Sequence, residues 1–194
     1  MARQPSNLQP KILRNARAML LADGYRGLSM RKLATGVGCT ATSIYLYFKN
    51  KDELIHSLID EGIGHLYDRL RTAGQQAQSA QEKVNCLCRA YLDFGLENPE
   101  YYEIMFQLHP SHMARYPAEK YRRARQNLQL FAEALAAREQ RSGPPTTKDR
   151  LRANTIWSNL HGAVSLVLAG RVDVRLDQDA YLEAVIKDSA GDRA

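Results

Sequence analysis

The sequence predicts an all-α fold, and three observations carry that prediction. Apolar residues recur at helical spacing, strand-like alternation is absent, and helix caps and Gly or Pro breaks fall between the periodic stretches. The 194 residues are enough for two parts, a three-helix unit over residues 1–50 and a larger helical body over residues 51–194.

Each element has a local reason. The first helix is expected from Pro10 at its first position to about Ala22. Its inward stripe is Ile12, Leu13, Ala16, Met19 and Leu20, and Gly24 ends it. Ser29 is a good N-cap for a second helix, with Met30, Leu33 and Ala34 on one face. Gly36 and Gly38 suit a helix end and a tight turn. Thr40 then caps a third helix that turns Ile44 and Phe48 inward. Asn50 and Glu53 read as a capping box for a fourth, from about Lys51 to Arg71. Gly62 and Gly64 permit either a bend in that helix or a fully helical passage.

The body continues in the same way. Ser79 with Glu82 opens a helix through Leu96, and Asn98–Pro99 opens a short one through Phe106. His109–Pro110 breaks the pattern before a helix from about Pro117 to Arg141. Ser142-Gly143-Pro144-Pro145-Thr146 reads as the clearest linker. Two helices follow, about Lys148–Ala169 and Gln178–Asp188.

The second and third helices with their glycine turn form the pattern of a helix-turn-helix, whose second helix enters the major groove of DNA. Ala41, Thr42, Ser43, Tyr45, Leu46 and Tyr47 are left on or near its outward side. Small residues at its start allow close approach, and hydroxyls bond phosphate oxygens. Thr42 and Leu46 are the candidates for a base edge and a thymine methyl. Thr40 and Lys51 are the candidates for phosphates, and Ser29 and Arg31 complete the DNA-binding set. Charge agrees with this reading. Residues 1–51 hold nine lysines and arginines against one acid, Asp23, whereas residues 52–194 carry a net −2. A basic module on a near-neutral body is the footprint of a nucleic-acid reader.

Other classes find little support. H-E-x-x-H, G-x-S-x-G and a phosphate-binding glycine loop are absent, so the expectation is a binding protein and not an enzyme. His109 and His112 with Glu100 and Glu103 are the nearest approach to a metal set, but Pro110 interrupts them. No metal and no cofactor is expected. Cys86-Leu87-Cys88 is too tight for a C-x-x-C site and reads as two buried thiols. The opening M-A-R-Q-P-S-N lacks the apolar core of a secretory leader, and no apolar run approaches ~20 residues.

The same stretch resembles the TetR family of transcriptional regulators over about residues 8–56. Gly24-Tyr25, Ser29, Leu33-Ala34, Gly38, Thr40, Ile44-Tyr45, Tyr47-Phe48, Lys51 and Leu54 follow the family order. Cys39 stands where the family usually has Val, and Gly36 where it usually has Ala. Trp157-Ser158-Asn159-Leu160-His161-Gly162 resembles the W-x-x-x-H-G signature of one C-terminal domain type in that family, and Tyr101–Phe106 its upstream Y-x-x-M-F segment. The resemblance implies a sequence-specific, ligand-responsive repressor, homodimeric on a palindromic operator in the bacterial cytoplasm. The alternative is an effector-independent architectural DNA-binding protein.

The body's residues give two further expectations. The helix over 148–169 has too wide an apolar face for one side of a monomer. Leu160, Ala163, Val164 and Val167, with Tyr181, Ala184 and Val185 of the last helix, are expected in a two-fold four-helix interface. The family's dimerisation through its last two long helices implies the same. A ligand cavity for an apolar or aromatic effector is expected among the middle helices. Its candidate lining is Tyr67, Tyr91, Phe94, Tyr102, Met105 and Phe106, with Phe131, Trp157 and His161.

Overall fold

The computed structural model describes residues 8–106 and 121–191. Their helices are α1 (Leu8–Gly27), α2 (Met30–Val37), α3 (Ala41–Tyr45), α4 (Lys51–Gln76), α5 (Ala80–Glu97), α6 (Pro99–Phe106), α7 (Tyr121–Arg138), α8 (Thr147–Leu168) and α9 (Gln178–Ala190). No strand occurs among the described residues. The His109–Pro110 break, the His109/His112 pair and the expected start of a helix at Pro117 lie outside them.

Two compact units are present. One holds the chain up to Gly62 together with a stretch from Glu100. The other holds Ile63–Pro99 and the chain from α7 onward. The division falls inside α4, after Gly62. α4 itself passes through Gly62 and Gly64 as one helix.

In the first unit, Ile12, Ala16 and Leu20 of α1 are buried, with Leu13 and Met19 at the margin. Gly24 interrupts α1 with φ 66° and ψ −176°, so the helix ends where the sequence ends it and one further turn follows the kink. Gly62 matters for its lack of a side chain. A Cβ there would lie 2.5 Å from the Met105 sulfur and 3.1 Å from the Tyr101 ring, so α6 approaches α4 over a bare backbone. The Arg17 guanidinium lies 4.4 Å from the centre of the Tyr101 ring and ties α1 to the same α6 residue.

In the second unit α5 is the central helix, packed against α7, α8 and α9. It buries Val84, Leu87, Cys88, Tyr91, Leu92 and Phe94. At about 1.5–3 kcal/mol per large apolar side chain, this row is a main source of the unit's stability. Around it Phe131, Leu135, Ile156, Leu160 and Val164 are also buried. Of the two thiols expected to be buried, Cys88 is fully so and Cys86 half so, and neither forms a disulfide.

The α7–α8 connection is more than the linker its composition suggests. Pro145 and Asp149 are buried. Thr146 accepts from the Asp149 amide, while the Asp149 carboxylate accepts from the Thr146 amide at 2.7 Å, a reciprocal capping box. Arg141 reaches over from the end of α7 and donates to the other carboxylate oxygen. The hydrogen bond from Arg141, with those from Thr146, holds the Asp149 carboxyl down at about 2, well below its ordinary value. A carboxyl with a depressed folded-state value stabilises the fold above its unfolded value near 4 and loses that contribution as pH falls towards about 2. Asp149→Ala is therefore expected to lower the melting temperature at neutral pH. The gap to the parent chain should close as pH falls through that window, as thermal unfolding across a pH series will show.

Candidate nucleic-acid interface

Three local devices build the second half of the first unit. The Ser29 hydroxyl accepts from the Lys32 amide at 3.1 Å and starts α2. Gly38 ends α2 in the left-handed region (φ 76°, ψ 40°), and its amide donates to the Ala34 and Thr35 carbonyls. A side chain at that φ is strained, which is why glycine stands there. Thr40 then caps α3. Its hydroxyl accepts from the Ser43 amide at 3.1 Å and lies 2.9 Å from the Ser43 hydroxyl.

These devices sort the side chains of α3 cleanly. Ile44 and Phe48 are buried, 0% and 2% exposed. Thr42, Tyr45 and Leu46 face outward, Leu46 at 81%. Ala41, Ser43 and Tyr47 are half-buried at the rim, and Ser29 is half-buried while Arg31 and Thr40 are exposed. An 81% exposed leucine gains nothing from the chain's own core, so its apolar surface is available to a partner.

Lys51 differs from its expected place. Its ammonium donates to the Tyr25 carbonyl and sits 3.8 Å from the centre of the Tyr25 ring. Tyr25 in turn donates its hydroxyl to Asp52 at 2.8 Å. Burial pushes the Lys51 ammonium below its ordinary value, and burial followed by the Asp52 bond raises the Tyr25 phenol. Lys51 thus fastens the kinked end of α1 to the start of α4, and a phosphate would have to compete with that clamp. Arg31, Lys32 and Lys49 are exposed on or beside α2 and α3, and the exposed Lys11 donates to the Val37 carbonyl at the end of α2. Lys32 and Lys49 escaped the sequence reading because neither is a cap or part of an apolar row. The box at α4 also differs in detail. Asn50 accepts from the Glu53 amide at 2.8 Å, but Glu53 reaches back to the Lys49 amide at 2.6 Å.

The expected effector residues divide between the two units. Tyr102, Met105 and Phe106 lie in the first, where the Tyr102 and Phe106 rings meet edge-on at 4.9 Å. In the second, Tyr91, Phe94 and Phe131 are buried and Tyr67, Trp157 and His161 half-buried. Three of them meet. The Trp157 indole donates to the Tyr91 hydroxyl at 3.0 Å, and that hydroxyl lies 3.5 Å from His161 Nδ1. Burial holds the His161 imidazole below its ordinary value and so favours its neutral form. Two surface grooves of this unit are lined by other residues. One, about 460 Å³, lies between α8 and α9, and one, about 570 Å³, between α4 and α5. No group of three or more His, Cys, Asp or Glu side chains placed to hold a metal occurs among the described residues.

The expected interface residues need a correction. Leu160, Ala163 and Val164 are at most 2% exposed, because the chain's own core uses them. Val167, Tyr181 and Val185 are half-buried, and Ala184 is exposed. The outward face of α8 is a different row, with Leu151 at 66% and Leu166 at 42% exposure, and Thr155, Ser158 and Gly162 between them.

A capped helix-turn-helix followed by a larger helical body is the architecture of the helix-turn-helix regulators. A family model described as bacterial regulatory proteins of the tetR family matches residues 12–58, and one described as a tetracyclin repressor-like C-terminal domain matches residues 84–189. The chain belongs to the TetR family. An HTH-type transcriptional regulator of Mycobacterium bovis is 28% identical over 101 residues, 51% of this chain and 43% of that protein. The fatty acid metabolism regulator protein of Bacillus subtilis is 30% identical over 82 residues, 42% of this chain and 41% of that protein. The chain thus spans less than half the length of these curated relatives. Among solved structures, the regulatory protein SCO4313 superimposes with a TM-score of 0.81 at 26% identity, covering 98% of this chain and 100% of that one. The regulator FadR of Bacillus subtilis, crystallised with stearoyl-CoA, shares the fold with a TM-score of 0.72 at 19% identity, covering 95% and 99%. No helix among the described residues is long and apolar enough to cross a membrane.

Two substitutions on α3 should separate reading from folding. Ile44→Ala removes a fully buried side chain and is expected to cost about 2–5 kcal/mol of stability. Leu46→Ala is expected to leave the melting temperature unchanged while relaxing discrimination at one base pair of each half-site, by about 1 kcal/mol or more. Thermal unfolding and binding to a set of single-base operator variants will read the two effects.

Proposed function

We propose that the chain is a sequence-specific DNA-binding regulator, acting as a homodimeric, ligand-responsive repressor on a palindromic operator in the bacterial cytoplasm. The observation that carries this reading is the surface of α3, where Thr42, Tyr45 and Leu46 are exposed on a helix anchored from beneath by Ile44 and Phe48. In the proposed division of labour residues 1–50 read DNA and residues 51–194 sense and pair. Thr42 and Leu46 meet base edges. Ala41 lets the helix approach closely, Ser43, Tyr45 and Tyr47 flank the contact, and Arg31 with the capped ends at Ser29 and Thr40 meets phosphates. Two such helices about 34 Å apart would reach successive major grooves.

Sensing is proposed as a two-state balance in which the effector prefers the state that binds DNA poorly. α4 is the proposed lever, since it runs unbroken from the Lys51 clamp to Gln76. The proposed effector site draws on Tyr67, Tyr91, Phe94, Phe131, Trp157 and His161 of the second unit. The Tyr91–Trp157–His161 chain is its polar element. The names of two similar proteins, a fatty acid metabolism regulator and a regulator crystallised with stearoyl-CoA, make long-chain acyl thioesters the first compounds to test.

The test has three parts. Selected-binding sequencing with the purified chain is expected to enrich one palindrome. Enrichment of none, with affinity set by salt alone, would favour the architectural alternative. Stearoyl-CoA is then titrated against Trp157 fluorescence with and without operator. An effector binds more weakly in the presence of operator, by the factor by which it weakens operator binding. Equal affinity in both conditions rejects the compound. Finally, Val164→Asp places a charge in the core and should unfold the second unit, whereas Leu166→Asp should leave it folded and dissociate the dimer. Circular dichroism and sedimentation will distinguish these outcomes.

A further inference from the structure

One face of α7 carries a graded row. Arg123, Asn127 and Phe131 are spaced by four residues, so each stands about 6 Å further along the helix and about 40° round it. Arg123 is exposed, Asn127 is 9% exposed and Phe131 1%. The row therefore runs from a charge at the surface, through a buried amide, to an apolar ring in the core.

Two contacts fix the neighbour that the row meets. Asn127 Nδ2 donates to the Ile63 carbonyl of α4 at 3.5 Å. The Arg123 guanidinium lies alongside Gly64, with one Nη 3.6 Å from where a Cβ there would stand. Both contacts fall within the second unit, one turn of α4 before Tyr67. The Asn127 carboxamide is poorly satisfied by them. Its bond to Ile63 is at the long end of the range and goes to a carbonyl inside α4, where the helix ladder competes for it. Its Oδ1 is buried and has no hydrogen-bond partner among the described residues. A buried amide oxygen without a donor costs free energy until a donor reaches it.

We infer that Arg123 and Asn127 form the polar end of the effector site. They take a ligand with an apolar chain, an amide N–H behind it and an anionic group beyond, which is the chemistry of a long-chain acyl-CoA thioester. The inference rests on the effector reading above. The chain lies towards Phe131, the amide N–H of the linker donates to Asn127 Oδ1, and a phosphate pairs with the Arg123 guanidinium. A free fatty acid meets this row less well. Its carboxylate only accepts hydrogen bonds, so it brings a second acceptor to an oxygen that needs a donor.

The test uses the full chain and isothermal titration calorimetry, with stearoyl-CoA below its micellar concentration and stearate as the comparison. The parent chain is expected to bind stearoyl-CoA about tenfold more tightly than stearate. Asn127→Leu should weaken stearoyl-CoA about fivefold, while its melting temperature stays at or above the parent's, since the fold loses only an unsatisfied amide. Asn127→Ala, which cannot overpack the core, should weaken binding to the same degree. Arg123→Ala should weaken it about tenfold. Arg125→Ala is the control of equal charge. Arg125 is exposed about 160° round the helix from Asn127, and its loss should leave binding unchanged. Equal losses from Arg123→Ala and Arg125→Ala would reduce the effect to net charge and overturn the inference. Stearate binding as tightly as stearoyl-CoA would overturn it too, as would Asn127 variants that keep full affinity or a parent chain that binds no stearoyl-CoA. Each of these outcomes leaves the effector reading standing, because that reading fails only if no compound releases the operator.

Discussion

The reading surface depends on a helix too short to exist alone. α3 has five residues, and isolated helices below about 12 residues are marginal in water because nucleation costs more than the few hydrogen bonds return. Its geometry is therefore imposed from outside. Gly38 sets the direction of entry, Thr40 satisfies the first free amide, and Ile44 and Phe48 root the helix in the unit's core. Without these three constraints Thr42, Tyr45 and Leu46 would sit on a disordered segment, and any DNA contact would carry the full cost of ordering it. On the proposed reading, the exposed residues of α3 would decide what is read, and the buried ones would decide that anything is read at all.

The second unit is organised around a buried hydroxyl. Tyr91 is 2% exposed on the central helix, and its oxygen would be costly to bury alone. Trp157 supplies a donor and His161 lies at the far side, so α8 is positioned against α5 by polar contacts as well as by Leu160 and Val164. The neutral imidazole favoured by burial can accept from the hydroxyl, whereas a charged one cannot. The trio is thus a directional contact inside an otherwise apolar packing, and it fixes the rotation of α8 about its own axis.

Most helices were legible because their signals are local. Ser29, Thr40, Ser79 and Gly38 act within a few residues of themselves, and the structure places each at the cap or turn it announces. Thr146 with Asp149 carries a signal of the same kind, but the Gly143–Pro144–Pro145 run beside it reads as a linker and hides it. What the sequence could not show is which of two surfaces a residue meets. Lys51 is a cation at the mouth of a helix-turn-helix, and nothing in its neighbourhood in sequence tells that Tyr25, far back in the chain, lies beneath it. The wide apolar face of α8 posed the same problem. Leu160, Ala163 and Val164 form a tight row, and a row meant for the chain's own core has the same spacing as one meant for a second copy.

That division of α8 bears on how sensing and pairing would be joined. Trp157 and His161 lie on one side of the helix, and Gly162 and Leu166 turn another outward. Successive residues on a helix are about 100° apart, so His161 and Gly162 differ by that angle on a single rigid rod. A ligand that displaced the Tyr91 hydroxyl from Trp157 would remove the contact that sets the rod's rotation. Any turn of the rod would carry Gly162 and Leu166 with it. Packed helix faces interlock ridge into groove and do not slide continuously, so a small rotation tends to be all or nothing. On the proposed reading, α8 therefore needs no chain of intermediate residues to link effector to dimer. The same backbone carries both faces, and the two sites are coupled because they cannot rotate independently.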